Sequence, residues 1–187
     1  GCGGGGSDSP DPAPAPAPPP SGTAAQCYDL SPAEGKTIDT NFTTTTYDTD
    51  GSVKSESTRT ETSVVGPQAT FEGHTATEVS VVGSSTTNGS SQTINYTGRA
   101  YSLQTGAAQF TYYGFVTDTV VPTGPGTTAQ GSAKTVYTPP LVDDSPGLEV
   151  GQTFTFTTTL VQTLTLDGVP RPPITDTQTH TVRFAGV

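Results

Sequence analysis

From residue 37 onward, bulky apolar side chains alternate with Thr and Ser through one stretch after another, the period-two signature of strands with one buried face. The clearest case is Gln152 to Leu166, where Phe154, Phe156, Leu160, Leu164 and Leu166 all fall on even positions and Thr fills most odd ones. This run is longer than the usual strand of about five or six residues, so it predicts a strand that wraps or bends. Asp167-Gly168 predicts a hairpin turn after it. Val169 to Pro173 (VPRPP) reads as loop or sheet edge, because proline donates no ladder hydrogen bond. Ile174 to Phe184 is then expected to return antiparallel, with Val182 and Phe184 extending the even apolar face.

The upstream chain reads the same way. Thr37 to Tyr47 is dominated by β-branched and aromatic residues, which suit a pleated surface and lose χ1 freedom in a helix. Asp50-Gly51 predicts a hairpin turn, with Ser52 to Val65 returning. Gly66-Pro67 is expected to end that strand, and Thr70 to Val82 to form the next, with Thr75, Thr77, Val79 and Val81 on one face. A second turn falls within Gly83 to Gly89, closing on Asn88-Gly89. Ser91 to Leu103 follows, with Ile94 and Tyr96 opposite Thr93 and Thr97, and Gly98 marks a bulge or bend. Ala108 to Val121 carries Phe110, Tyr112, Tyr113 and Phe115; simple alternation puts Phe110 and Tyr112 on one face and Tyr113 and Phe115 on the other. Pro122 to Gly131 reads as a loop, Ala133 to Tyr137 as a short strand, and the Pro-rich stretch to Gly151 as irregular. Helical character is confined to a single capped turn at Ser31-Pro32-Ala33-Glu34. The predicted class is all-β: an antiparallel meander of long hairpins forming a strongly curved sheet, a half-open barrel or a sandwich.

Composition narrows this further. The chain has 187 residues, 30% hydrophobic and only 13% charged, with 22 Gly and 17 Pro. That profile fits a Thr-rich β domain with a thin core, here assigned to residues 26–187 after a linker at 1–25. The net charge of −10 and the scatter of the basic residues Lys36, Lys54, Arg59, Arg99, Lys134, Arg171 and Arg183 argue against a nucleic-acid partner, since phosphate contacts need clustered Lys and Arg. No run approaches the roughly 18 apolar residues of a membrane-crossing helix.

The first twenty residues, GCGGGGSDSPDPAPAPAPPP, cannot join a core. Gly/Ser tracts are flexible coil and Pro-Ala tracts favour extended polyproline II. Asp11 to Pro20 would span roughly 30 Å at about 3.1 Å per residue, a useful spacer. Gly1-Cys2 ahead of it resembles the end of the bacterial lipobox, in which a small residue precedes the cysteine that becomes the lipidated mature N-terminus after the signal peptide is removed. That resemblance implies a thioether-linked diacylglycerol and an amide-linked acyl chain on Cys2. At about 0.8 kcal/mol per buried CH₂, three chains would make attachment effectively permanent. Together with the Thr-rich hairpins, and with Thr138-Pro139-Pro140-Leu141 ahead of Glu149-Val150-Gly151-Gln152-Thr153-Phe154, the leader resembles a group of uncharacterised proteobacterial lipoproteins. The group implies an outer-membrane anchor, a periplasmic or surface-facing domain, and no established activity; Gly3 after Cys2 resembles the outer-membrane sorting pattern.

An acylated Cys2 leaves Cys27 alone, which is unusual in an oxidising compartment. Three expectations stand side by side: a partner for Cys27 on a later strand of a longer native chain, a Cys2–Cys27 disulfide in an unlipidated chain, or a buried free thiol.

Catalytic chemistry is sparse. A hydrolase triad needs a histidine beside a nucleophile and an orienting acid, and only His74 and His180 exist. His74 reads as a turn or strand start, and His180 as a partly buried strand histidine bonded to a neighbour. No Gly-x-Ser-x-Gly, phosphate loop or dinucleotide fingerprint appears, so neither an enzyme nor a cofactor is expected. Asp48 and Asp50 superficially match the start of a calcium loop, and Asp143-Asp144 offer a weak oxygen pair; turns account for both. Zinc lacks a ligand cluster. Three roles follow: a lipid-anchored envelope protein with a binding or structural β domain, a carrier of an apolar ligand in a curved-sheet cavity lined by the even-position Phe and Leu residues, or an adhesin or assembly subunit that uses its strand edges with a protein partner.

Overall fold

A computed structural model of the chain describes Gly22, residues 32–90 and residues 92–185. Strands run over Thr37–Tyr47 (β1), Val53–Phe71 (β2), His74–Thr87 (β3), Thr93–Gly106 (β4), Gln109–Gly124 (β5), Thr127–Asp143 (β6), Thr153–Leu166 (β7), Val169–Pro170 (β8) and Ile174–Arg183 (β9), with one 3-10 turn at Ser145–Gly147. All nine strands belong to one antiparallel sheet, ordered β1 through β7; β8 pairs the end of β7 and β9 pairs Thr153 to Gln162. The expected all-β antiparallel meander is the observed fold. Of its three anticipated forms, a single sheet that does not close is found. Extensive contacts join only strands that neighbour one another in the sheet, so among the described residues no second sheet packs on the first.

The hairpin signals hold where glycine supplies a positive φ. Asp167-Gly168, with φ of 47° and 78°, form a two-residue turn of the kind that matches the strand twist, while Gly51 and Gly89, with φ near 84° and 82°, sit in longer connections between Tyr47 and Val53 and between Thr87 and Thr93. Five expectations fail. The turn expected from Gly83 begins later: β3 keeps register with β4 through Gly83↔Tyr96 to Thr86↔Thr93, and the chain reverses only after Thr87. Gly66-Pro67 does not end a strand: β2 continues to Phe71, because the register shifts between Val65 and Gln68 and Pro67 sits in that bulge, where no ladder N–H is required. The true turn is Glu72-Gly73, with φ of 50° and 82°. Gly98 is not a bulge; it keeps register with Val81 and Thr117, and a Cβ there would lie 2.7 Å from the Val116 carbonyl oxygen. Pro122 to Gly131 is a hairpin rather than a loop, turning at residues 125–126. Finally, β6 runs through Thr138-Pro139-Pro140: its partners jump from Gly114↔Val136 to Tyr112↔Leu141, and β7 has already parted from it after Tyr137↔Leu160.

Directly paired residues share a face, so the registers sort every side chain. One face collects Val65, Val79, Val81, Tyr96, Ala100, Phe115, Tyr137 and the even residues of β7; the other collects Thr, Ser, Asn and Asp. On β4, Tyr96, Gly98 and Ala100 are half-buried while Asn95, Thr97 and Arg99 are exposed. With no covering layer, such shielding arises when a sheet bends around one face, here called the inner face. The bulges at 65–68 and 112–114 supply bends of this kind.

The outer face is not wholly polar. Phe71, Ala76, Tyr101 and Tyr113 form a buried cluster there, with Ala69, Leu103, Val116 and Val136 packed against it. Phe71 stacks on Tyr101 with ring centroids 4.3 Å apart. The core expected along β7 is only half-buried: Phe154, Phe156, Leu160, Leu164 and Leu166 share the inner face as predicted, but Val182 is 39% exposed. Phe184 lies just past β9, held by Phe184 N donating to the Gln152 carbonyl at 3.2 Å.

Candidate functional site

The inner face is built in rows that cross the strands. One row runs Ser63, Val81, Gly98, Thr117, Ala133, Leu164, each residue paired with the next. Small side chains at its centre leave a depression between taller neighbours. The resulting trough, about 530 Å³, crosses β2 to β6, with Gly98 and Ala100 as floor and Val81, Tyr96, Phe115 and Tyr137 as walls. Both its size and its mostly apolar lining fall within the usual range for ligand pockets.

Tyr96 takes its position from a glycine across the strand. A Cβ on Gly83 would sit 2.5 Å from the Tyr96 ring, so only glycine lets that ring lie flat over β3. The ring's hydroxyl donates to Glu61 Oε1 at 2.7 Å. The same oxygen accepts Arg59 Nε at 3.1 Å, and the Arg59 guanidinium lies 4.2 Å over the Phe42 ring. The rim of the trough is therefore a neutralised ion pair braced by two aromatic rings. Partial burial, then the Glu61 hydrogen bond, push the Tyr96 phenol well above its ordinary value; burial raises Tyr137 as well. Both phenols stay neutral at physiological pH, and that of Tyr96 donates to Glu61.

The aromatic run of β5 contributes differently from what alternation predicts. Phe110, Tyr112 and Phe115 share the inner face, and Tyr113 joins the outer cluster. The bulge between Tyr112 and Gly114 inserts one extra residue, which resets parity and returns Phe115 to the side of Tyr112.

The other candidates lie apart. Cys2 and Cys27 fall outside the described residues. Asp50 Oδ1 accepts from Ser52 Oγ at 2.6 Å and Ser52 N at 2.9 Å; the hydroxyl bond first, then the backbone one, hold its carboxyl below the usual range. Asp48 lies 3.9 Å from Lys54 Nζ. Asp143 Oδ1 accepts from Ser145 N at 2.8 Å, and Asp144 Oδ1 from Gln109 Nε2 at 2.7 Å. Each of these carboxylates serves its own turn or strand end, and among the described residues no three His, Cys, Asp or Glu are placed to hold a metal ion. His74 opens β3 and stacks on Tyr113 at 4.5 Å. His180 is exposed rather than partly buried, because β9 is an edge strand with β7 as its only partner among the described residues; it stacks on Phe156 at 5.1 Å and bonds Gln178 at 3.1 Å. The two histidines stand on opposite faces of the sheet, on β3 and β9, and share no site.

Sequence reading missed the trough residues Arg59, Glu61, Gly83, Tyr96, Gly98 and Ala100. A signal was present: small residues at i and i+2 in Gly98/Ala100, flanked by Tyr96 and Tyr101. No family model, curated protein or solved structure matches this chain.

Proposed function

We propose that this chain is a lipid-anchored bacterial cell-envelope protein, held at the outer membrane through Cys2, whose β domain binds non-catalytically through its inner face. The carrying observation is the apolar trough, left uncovered by any second layer among the described residues. The leader supports the tether: a Gly-Cys start, a flexible tract and an extended Pro-Ala spacer suit a domain held off a membrane surface. The net charge of −10 favours uncharged or apolar partners over anionic polymers. With Arg59 already paired to Glu61, the trough favours a ligand with an apolar body and at most a small polar end. A carrier role is the second reading, favoured by the same trough because an open sheet lets an apolar molecule enter and leave without local unfolding.

The test is titration with the neutral apolar dye Nile red. Wild type and Thr97→Trp, which alters the outer face, should bind saturably. Ala100→Trp, which fills the trough floor, should lose binding while keeping the β-sheet circular-dichroism spectrum. Equal binding by all three proteins contradicts the reading.

A further inference from the structure

The two outermost strands each have one partner, β1 with β2 and β9 with β7. Each therefore carries a row of backbone N–H and C=O groups with no strand among the described residues to receive them. Proteins usually blunt such edges with proline, bulges, inward charge or short length. These edges are 11 and 10 residues long, contain no proline, and β1 keeps unbroken register with β2 from Thr37 to Thr46.

We propose that copies of this chain join head to tail, β9 of one copy pairing antiparallel with β1 of the next, so that the sheet continues from copy to copy. Strand direction allows it. β1 to β7 followed by β9 is an even row of alternating strands, so β9 runs opposite to β1. A second copy set alongside, upright and with its inner face on the same side, meets β9 in antiparallel orientation.

Face chemistry matches as well. Even residues point inward on both edges, bringing Ile38 and Phe42 to the side of Ile174 and Val182, with Asp176 the one charge directed inward; odd residues point outward, bringing Thr43 and Thr45 to the side of Thr177 and Thr179. One register joins opposite charges, with Arg183 facing Asp39. That register also sets Thr179 opposite Thr43, Thr177 opposite Thr45, and His180 opposite Phe42. It repeats across the junction what β9 already does with β7, where Thr157 and Thr179 bond at 2.9 Å, Thr159 and Thr177 at 3.1 Å, and His180 stacks on Phe156 at 5.1 Å. A one-residue slip would turn the Thr rows inward and is disfavoured. Because different surfaces meet, the contact is heterologous and builds a ring or a filament.

The test uses the full chain with Cys2→Ser and Cys27→Ser, bearing Thr43→Cys, Thr179→Cys or both. Under mild oxidation, an equal mixture of the two single variants should give disulfide-linked pairs, each single variant alone should not, and the double variant should give a ladder of multimers. In sedimentation equilibrium the parent should show a concentration-dependent mass, and Thr43→Lys with Thr45→Lys should be monomeric with an unchanged circular-dichroism spectrum. A double variant that links within one chain means β1 meets its own β9 and overturns the proposal. So does Thr43→Cys dimerising alone, or a parent that stays monomeric at hundreds of micromolar.

Discussion

Gly114→Ala is expected to be the most damaging single-methyl addition in the sheet. Gly114 is buried on β5, pairs with Tyr101 on β4 and Val136 on β6, and has φ of 156°. A Cβ there would collide with the Thr135 carbonyl oxygen and lie 2.8 Å from Phe71 Cε1. The Phe71 ring cannot retreat freely, since it stacks on Tyr101 at 4.3 Å. Overpacking costs about 1–3 kcal/mol and the unfavourable backbone region about 1–3 kcal/mol. The expected loss is thus about 2–6 kcal/mol, much of the roughly 5–15 kcal/mol that holds a domain together. Gly126→Ala separates the two contributions: its φ is 72°, yet no heavy atom lies within 4 Å of the added carbon. It should cost only about 1–2 kcal/mol. The chain has no Trp and seven Tyr, so urea unfolding followed by tyrosine fluorescence and far-ultraviolet circular dichroism reads both variants. Thermal midpoints should fall by roughly 2–4 °C per kcal/mol at this size. A Gly114→Ala protein no less stable than Gly126→Ala would refute the close approach of β5 to Phe71 and β6.

Phe71→Ala should cost about 3–5 kcal/mol, as expected for a buried aromatic, read in the same urea assay; a loss below about 1 kcal/mol would show that the outer cluster is not a core. Tyr96, Tyr101 and Tyr137 have phenols raised by burial first, the first two also by hydrogen bonds to Glu61 and Glu78. The unfolded chain ionises them from about pH 10 while the fold keeps them protonated. Their contribution is therefore complete below that pH and is lost as pH rises through the folded values. Tyr96→Phe should flatten the alkaline fall in stability, and an unchanged slope would count against the Tyr96–Glu61 bond. For the outer Thr rungs, a double-mutant cycle of Thr157→Val and Thr179→Val should give a coupling of about 0.2–1 kcal/mol, and zero coupling would mean that the hydroxyls face water independently.

Where the fold was legible in sequence, one residue type settled the local backbone. Asp50-Gly51, Asn88-Gly89 and Asp167-Gly168 announce turns, and the even Phe and Leu positions of β7 announce its inner face. Several of the failures share one cause: bulges. Pro67 and Pro139 look like strand breakers, yet each sits where register shifts and no ladder donor is needed. The Tyr113-Gly114 bulge reverses parity, which is why alternation assigned Phe115 to the wrong face. Glu72-Gly73 escaped because Glu seldom adopts positive φ. The trough was hidden for a related reason: Gly98 and Ala100 look like weak strand residues one at a time and become a floor only when the register sets them between Val81 and Phe115. The outer cluster gathers Phe71, Tyr101 and Tyr113 from three strands, which no local pattern reveals.

The proposed compartment and role both depend on the proposed tether, so the decisive measurement is mass spectrometry of the peptide that contains Cys2, from the protein isolated from its native cells. The expected peptide begins at Cys2 and carries a thioether-linked diacylglycerol and an amide-linked acyl chain. A peptide with an unmodified Cys2 thiol, or with Cys2 joined to Cys27, would contradict the anchor and with it the proposed place of the domain in the envelope.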